Sequence, residues 1–386
     1  MKNFKKEIPF GRPWLDDEDR QAVMNVLQGH VLTHGPKCHE FEEAFSKFMG
    51  SGYSVTTSSC MASLHLSAIE LGLKPDDEVL VPAQTHVATV HAIELVGAIP
   101  VFVDCEMKTG NIDIDSIESK INSKTKAIFV VHFAGIPAQM DRICQIAEKN
   151  QLHVVEDCAL AIGGTFKGKH VGLWGDLGCF SFYPVKHMTT AEGGMIVSKN
   201  ETLIRKIALF RAFNVDRSFN DRKIPGIYDV IGVGLNYRMS ELQAALGCTQ
   251  VKKMPRNLEI RKKNFSTLKE RLISVKGISH VLDSQNADSV NSHYCLVVIL
   301  ENHLHKLRND ILLQLTERGI GCSVYYPQPV PRMKYYNEKY QTDPNTYLNA
   351  IKISDGSISL PVGPHLDNED MKIIAMTLKN ILKELE

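Results

Sequence analysis

Apolar residues along the chain recur with two different periods. Near the start the spacing is helical: Ala22, Val23, Val26 and Leu27 mark a helix over Asp16 to Leu27, closed by Gly29. Phe41, Phe45 and Phe48 then share one face of a helix over His39 to Met49. Beyond them, strand-length apolar runs alternate with helical stretches. The runs predict strands at Ser54–Thr57, Glu78–Val81, Ile99–Val103, Ala127–Val131, His153–Glu156, Gly178–Phe182 and Met195–Val197. Helices are expected at Met61–Leu71, Thr85–Val96, Ile114–Ile121, Gln139–Lys149 and Glu201–Phe213. Such alternation implies an α/β fold with a mostly parallel seven-stranded sheet flanked by helices.

Past Arg211 the regularity lapses into a polar stretch, 214–234, interrupted by Pro225 and Gly226. A connection of that length is usually functional or part of an interface. Ser240 to Val251 reads as a helix capped by Ser240, and helical spacing resumes after Pro255 to about Leu272. Strands at Tyr294–Leu300 and Cys322–Val324 mix with helices at His305–Arg318 and Asn368–Leu385. Residues 1–250 are thus expected to form a large α/β domain, and 251–386 a smaller C-terminal α+β domain.

Composition narrows the class. Lys and Arg total 44, as do Asp and Glu, and basic residues are not collected into runs, so a nucleic-acid footprint is not expected. The longest apolar runs are strand-sized, and the start, MKNFKKEIPFGRPW, lacks the apolar core of a signal peptide. Nine cysteines stand singly, with no CxxC pair and no histidine cluster at metal spacing. Reduced thiols, a cytoplasmic location and no metal are expected.

Chemistry concentrates between Cys179 and Val197. Phe180 and Phe182 flank Ser181 as in a half-buried strand, Gly193 and Gly194 turn into the next one, and Lys186 lies between them. A hydroxyl and an amine from one loop could bind a phosphate and join an aldehyde on the same cofactor. Pyridoxal 5'-phosphate (PLP) is such a cofactor, normally held by a lysine Schiff base with an acid near its ring nitrogen. Asp157 closes the strand upstream, where ligand chemistry collects in α/β proteins. A nicotinamide enzyme would need a GxGxxG turn after an early strand, and none occurs.

Several blocks together carry a family resemblance. They are Leu32-Thr33-His34-Gly35-Pro36, Gly135-Ile136-Pro137, Glu156-Asp157, Lys167 to Gly172, Gly175-Asp176, Phe180 to Gly194, Asn236 to Glu241 and Ser359-Leu360-Pro361. In this order the chain resembles the DegT/StrS-type sugar aminotransferases, PLP enzymes of fold type I. The resemblance implies Lys186 as the Schiff-base lysine, Asp157 as partner of the ring nitrogen, and Ser181 and Ser59 as phosphate ligands. It adds Cys60, Met61, His86 and Leu160 to the cofactor-binding positions, and Asn236 as a contact reaching the phosphate of the neighbouring subunit. Substrate candidates are His187, Arg217, Arg222 and Tyr326.

Four positions depart from the family's usual residues. Met61 replaces a hydrogen-bonding threonine, His86 an aromatic, Leu160 a Gln or His, and Ala191 a glycine. Some relatives are deoxysugar dehydratases with histidine in place of the lysine; Lys186 favours transamination. The expected activity moves an amino group, from glutamate by analogy, to a keto or aldehyde sugar in a ping-pong reaction of a homodimer. The product would enter a surface polysaccharide such as lipopolysaccharide, or another glycoconjugate. A nucleotide-linked ketosugar is the default acceptor. The arginines of 217–223 also suit an oxidised octulosonate, aminated at C8 to 8-amino-Kdo. A catalytically inactive PLP-binding regulator is the alternative outside enzymology.

Overall fold

Each of the seven apolar runs becomes a strand of one sheet. The computed structural model describes residues 7–216, 224, 227–343 and 345–385. In spatial order the strands are Tyr53–Thr57, Gly194–Ser198, Leu177–Ser181, His153–Asp157, Thr125–Val131, Glu78–Pro82 and Ile99–Val103. Those from Leu177–Ser181 to Ile99–Val103 pair in parallel. Gly194–Ser198 is antiparallel to both its neighbours, so six strands share one direction and one opposes it. The carboxyl ends of the six, with the start of the seventh, therefore meet along one edge.

Aromatic packing fixes that edge from one side. Phe45, on the helix Pro36–Met49, meets Phe180 at 5.1 Å and Phe182 at 5.6 Å between ring centroids, and Phe41 meets Phe182 at 5.1 Å. All four rings are sealed from solvent, each burial being worth about 1.5–3 kcal/mol. Glycines permit the closest backbone approach. A Cβ on Gly178 would lie 2.3 Å from Gly172 Cα and from its carbonyl oxygen.

Three expectations change. Ile114–Ile121 is not an α-helix but two short 3-10 turns, Ile114–Ser116 and Glu118–Lys120. Asp113 accepts from the Asp115 amide and the Ser116 hydroxyl, local bonds that compete with a helix. Cys322–Val324 gives only an isolated bridge, Ser323 to Ser359, before Pro327 and Pro329 remove ladder donors. The two helical stretches around Pro255 merge into one helix, Glu241–Leu272, which forgoes one intrahelical bond at the proline.

A second sheet of three antiparallel strands, Ile278–Val281, Cys295–Leu300 and Ser357–Pro361, packs on the helices Arg308–Glu317 and Asn368–Glu384. The long helix touches both regions, and the expected boundary at residue 250 falls inside it. Gln250 donates to the Asp19 carboxylate near the amino terminus, and Asn264 donates to the Gly363 carbonyl beside the small sheet.

Gly178→Ala is expected to lower stability by about 1–3 kcal/mol, since neither strand nor loop can retreat from backbone contact. Urea unfolding followed by circular dichroism measures it. An unchanged midpoint would mean that the Gly172 loop yields freely.

Candidate active site

Three strand ends and one helix start converge at the sheet edge. Strand alternation turns Glu156 and Asp157 to opposite faces. Glu156 is fully buried: Oε1 accepts from the amides of Trp174 and Gly175, both at 2.8 Å, and Oε2 from Gly172 at 2.7 Å. His132 Nδ1 accepts from the Ala138 amide, which leaves the Nε2 proton to donate to Glu156 at 3.0 Å. Burial would raise the Glu156 pKa, yet His132 and the glycine amides hold it below the usual range.

Asp157 faces the other way and is equally constrained. Oδ2 accepts from the Thr89 hydroxyl at 2.7 Å and Oδ1 from the Ala159 amide at 3.0 Å. Cys60 Sγ lies 4.0 Å from Oδ1. Lys186 completes the group: desolvation lowers its pKa, against the opposing pull of Cys60 and Asp157. The lysine sits deep within the protein but retains some solvent access, as at the floor of a cleft.

Ser59 and Ser181 meet at Gly194. Ser181 is its cross-strand partner, and a Cβ on Gly194 would strike the Ser59 carbonyl group at 2.5 Å. Ser59 caps the helix Cys60–Glu70, its hydroxyl accepting from the Ala62 amide at 3.1 Å. The amides of Cys60 and Met61 at this helix start have no intrahelical acceptor, an arrangement that attracts anions. Met61 therefore offers a backbone donor even though its side chain cannot donate.

His86 caps the helix Val87–Glu94, its Nδ1 accepting from Ala88 at 3.1 Å, so the proton of the neutral ring is on Nε2. Desolvation lowers its pKa against the pull of Asp157. Its ring is 5.7 Å from that of Tyr326, which also packs 6.0 Å from Phe133. Lys186, Asp157, Cys60, His86 and Tyr326 thus form one electrostatically connected cluster.

Other candidates lie differently. Leu160 is a core residue whose carbonyl accepts from Ser292 Oγ. His187 turns to the Ser292 carbonyl, 3.0 Å from Nε2. Asn236 is exposed and bridges Ala212. Arg217 and Arg222 lie outside the described residues. Ala191, with φ +68°, holds a left-handed conformation that glycine adopts without cost, so this departure strains the lysine loop by about 1 kcal/mol. Thr89 was not predicted; nothing in the sequence places a helix threonine against Asp157. A cavity of about 870 Å³ is lined by His34, Arg211, Phe213, Tyr228, Val233 and Arg238, with none of the Lys186 cluster.

The profile of the DegT/DnrJ/EryC1/StrS aminotransferase family matches residues 13–379. An uncharacterized protein of Methanocaldococcus jannaschii is 33% identical over 380 residues, 98% of each chain. Among solved structures, Helicobacter pylori PseC, an aminotransferase involved in the biosynthesis of pseudoaminic acid, superposes with a TM-score of 0.89. It is 27% identical, over 98% of this chain and 100% of that one. The PLP-form of Spr1654 from Streptococcus pneumoniae gives 0.92 at 29% identity, over 99% and 100%.

Buried histidines make the protein acid-sensitive. Desolvation lowers the pKa of His170 and of His293 to about 4 and that of His187 well below its ordinary value. Above about pH 6.5 both folded and unfolded histidines are neutral and stability is complete. Below it the unfolded chain binds protons that the fold refuses, so stability falls down to about pH 4. His39 and His153, raised by Glu42 and Asp176, act oppositely but are solvent-screened. The thermal midpoint is expected to drop steadily from pH 7 to 5, and His170→Gln to reduce the slope. A flat profile would contradict the burial argument.

Proposed function

Because the chain belongs to the DegT/DnrJ/EryC1/StrS aminotransferase family, we propose that the Lys186 cluster is the catalytic centre of a PLP-dependent sugar aminotransferase. The observation that carries this is one desolvated lysine beside one doubly hydrogen-bonded aspartate, next to an anion-binding helix start. The residues fit the cofactor. The amides of Cys60 and Met61 with Ser59 and Ser181 would hold its phosphate, Asp157 its ring nitrogen, and His86 one face of the ring. When bound, the cofactor supplies an electrophilic aldehyde and an electron-accepting ring.

The chain's own groups do the rest. Desolvation keeps Lys186 Nζ more readily neutral, hence nucleophilic and able to take up and return a proton. Asp157, fixed by Thr89 and Ala159, holds a proton on its ring partner by charge. Glutamate as donor and a nucleotide-linked ketosugar as acceptor complete the reading, in support of which stand the relatives in amino-sugar biosynthesis. A cytoplasmic enzyme supplying surface polysaccharide accords with this.

We further propose a homodimer. Ile227, Val230, Ile231 and Val233 are exposed apolar side chains a few residues before Asn236, and exposed apolar side chains close together mark an interaction surface. A second copy covering it would bring Asn236 to its partner's phosphate site.

The purified protein is expected to absorb near the visible edge and to bleach with glutamate. Lys186→Ala should abolish the band and cut turnover by at least about 10²–10⁴-fold. A wild-type protein that stays colourless after PLP is added would refute the assignment. Val233→Asp, at a residue 83% exposed, is expected to give a monomer with at least tenfold lower activity. Sedimentation paired with assay measures both, and a fully active monomer would refute the shared site.

A further inference from the structure

Residues 8–11 cross from the small sheet to the lysine loop, pinned at both ends. Ile8 is buried in the core of the small sheet; its amide donates to the Gly319 carbonyl at 2.9 Å, and its carbonyl accepts from Gly321 at 2.7 Å. The Pro9 carbonyl accepts from His365 Nε2 at 3.0 Å. At the other end Gly11 lies against Val185, so close that a Cβ would meet Val185 Cβ at 3.2 Å. Val185 precedes Lys186.

Phe10 lies between these pins. Its ring stacks on Tyr325, with centroids 5.9 Å apart and planes 27° apart, and stands edge-on to Tyr294 at 6.4 Å. Tyr294 in turn carries Lys186 Nζ over its face, 5.2 Å from the centroid, and its hydroxyl is 2.8 Å from that of Tyr325. Unlike the sealed phenylalanines around Phe45, Phe10 and Tyr325 keep part of their surface in solvent. Partly exposed rings packed on the tyrosine that lies under Lys186 Nζ can serve as a ledge for a ligand with an apolar face, such as the C–H face of a pyranose. The phenols share one hydrogen bond, so one hydroxyl proton remains for a sugar oxygen.

We propose that Phe10 and Tyr325, backed by Tyr294, form the acceptor subsite, with Phe10 as a specificity-determining residue that favours a cyclic sugar over the acyclic donor. This rests on the aminotransferase assignment above. Glutamate has no ring to stack, so the ledge separates the two half-reactions.

The test follows both half-reactions by absorbance in the PLP-loaded enzyme: bleaching by glutamate, and return of colour with dTDP-4-keto-6-deoxyglucose or UDP-4-keto-6-deoxy-N-acetylglucosamine. Phe10→Ala is expected to shift the ratio of the two efficiencies at least tenfold against the sugar, mainly through its half-saturating concentration. Phe10→Tyr should restore most of it. Equal losses in both half-reactions, or an unchanged ratio, overturn the subsite. A wild-type enzyme that glutamate bleaches but neither sugar recolours overturns the nucleotide-ketosugar reading and the subsite with it. Failure of glutamate to bleach the wild type overturns the aminotransferase assignment itself.

Discussion

A carboxylate without solvent contact governs the edge of this sheet. Glu156 is at 0% exposure and would be untenable as an isolated charge, since burying an unpaired ion costs many kcal/mol. Three backbone amides and His132 satisfy it. Those donors come from the 172–175 turn and from the residue after the strand Thr125–Val131, so one anion ties two loops to the end of a third element. Ligand atoms of His132, Glu156 and Cys158 lie within 4.8 Å of one another. Both imidazole nitrogens and both carboxylate oxygens are already engaged, so the His132–Glu156 pair is a hydrogen-bonded anchor.

The next residue inherits that rigidity. With Glu156 locked on one face, the strand presents Asp157 on the other in a fixed position, and Thr89 and Ala159 set its rotation. Lys186, by contrast, comes from a loop whose geometry costs energy: Ala191 holds a left-handed conformation, and the amine is desolvated. The sheet holds the acid and the loop holds the amine under strain. The burial that lowers the lysine's pKa also destabilises the folded state. The sealed aromatic cluster around Phe45, packed on the strand that leads into this loop, contributes stability in the opposite direction.

Most of the large sheet was legible, because a buried parallel strand is a short apolar run bounded by breakers, and seven such runs occur in order. That Asp157 and Ser181 would close strands, with Lys186 in the loop beyond, was legible for a related reason: these runs end where breakers and polar residues begin. What escaped were features decided by partners distant in sequence. Asp113 and Ser116 redirect a helical pattern into 3-10 turns through bonds that periodicity does not register. Pro255 suggested a break that the packing of a long helix overrides. Thr89 is one polar residue in an apolar helix, and only the fold brings it to Asp157. Phe10 carries no local signal, since its neighbours in space are Tyr294 and Tyr325.

That last juxtaposition changes what the amino-terminal stretch is for. A segment held only at Ile8 would be an edge decoration of the small sheet. One hydrogen-bonded at Ile8 and Pro9 and packed at Gly11 against Val185 connects that sheet to the residue before Lys186. The tyrosine pair makes the same connection from the other side, as Tyr294 immediately precedes a small-sheet strand while its ring lies under Lys186 Nζ. The small sheet thus reaches the Lys186 loop by two routes, one of backbone packing and one through the tyrosine rings.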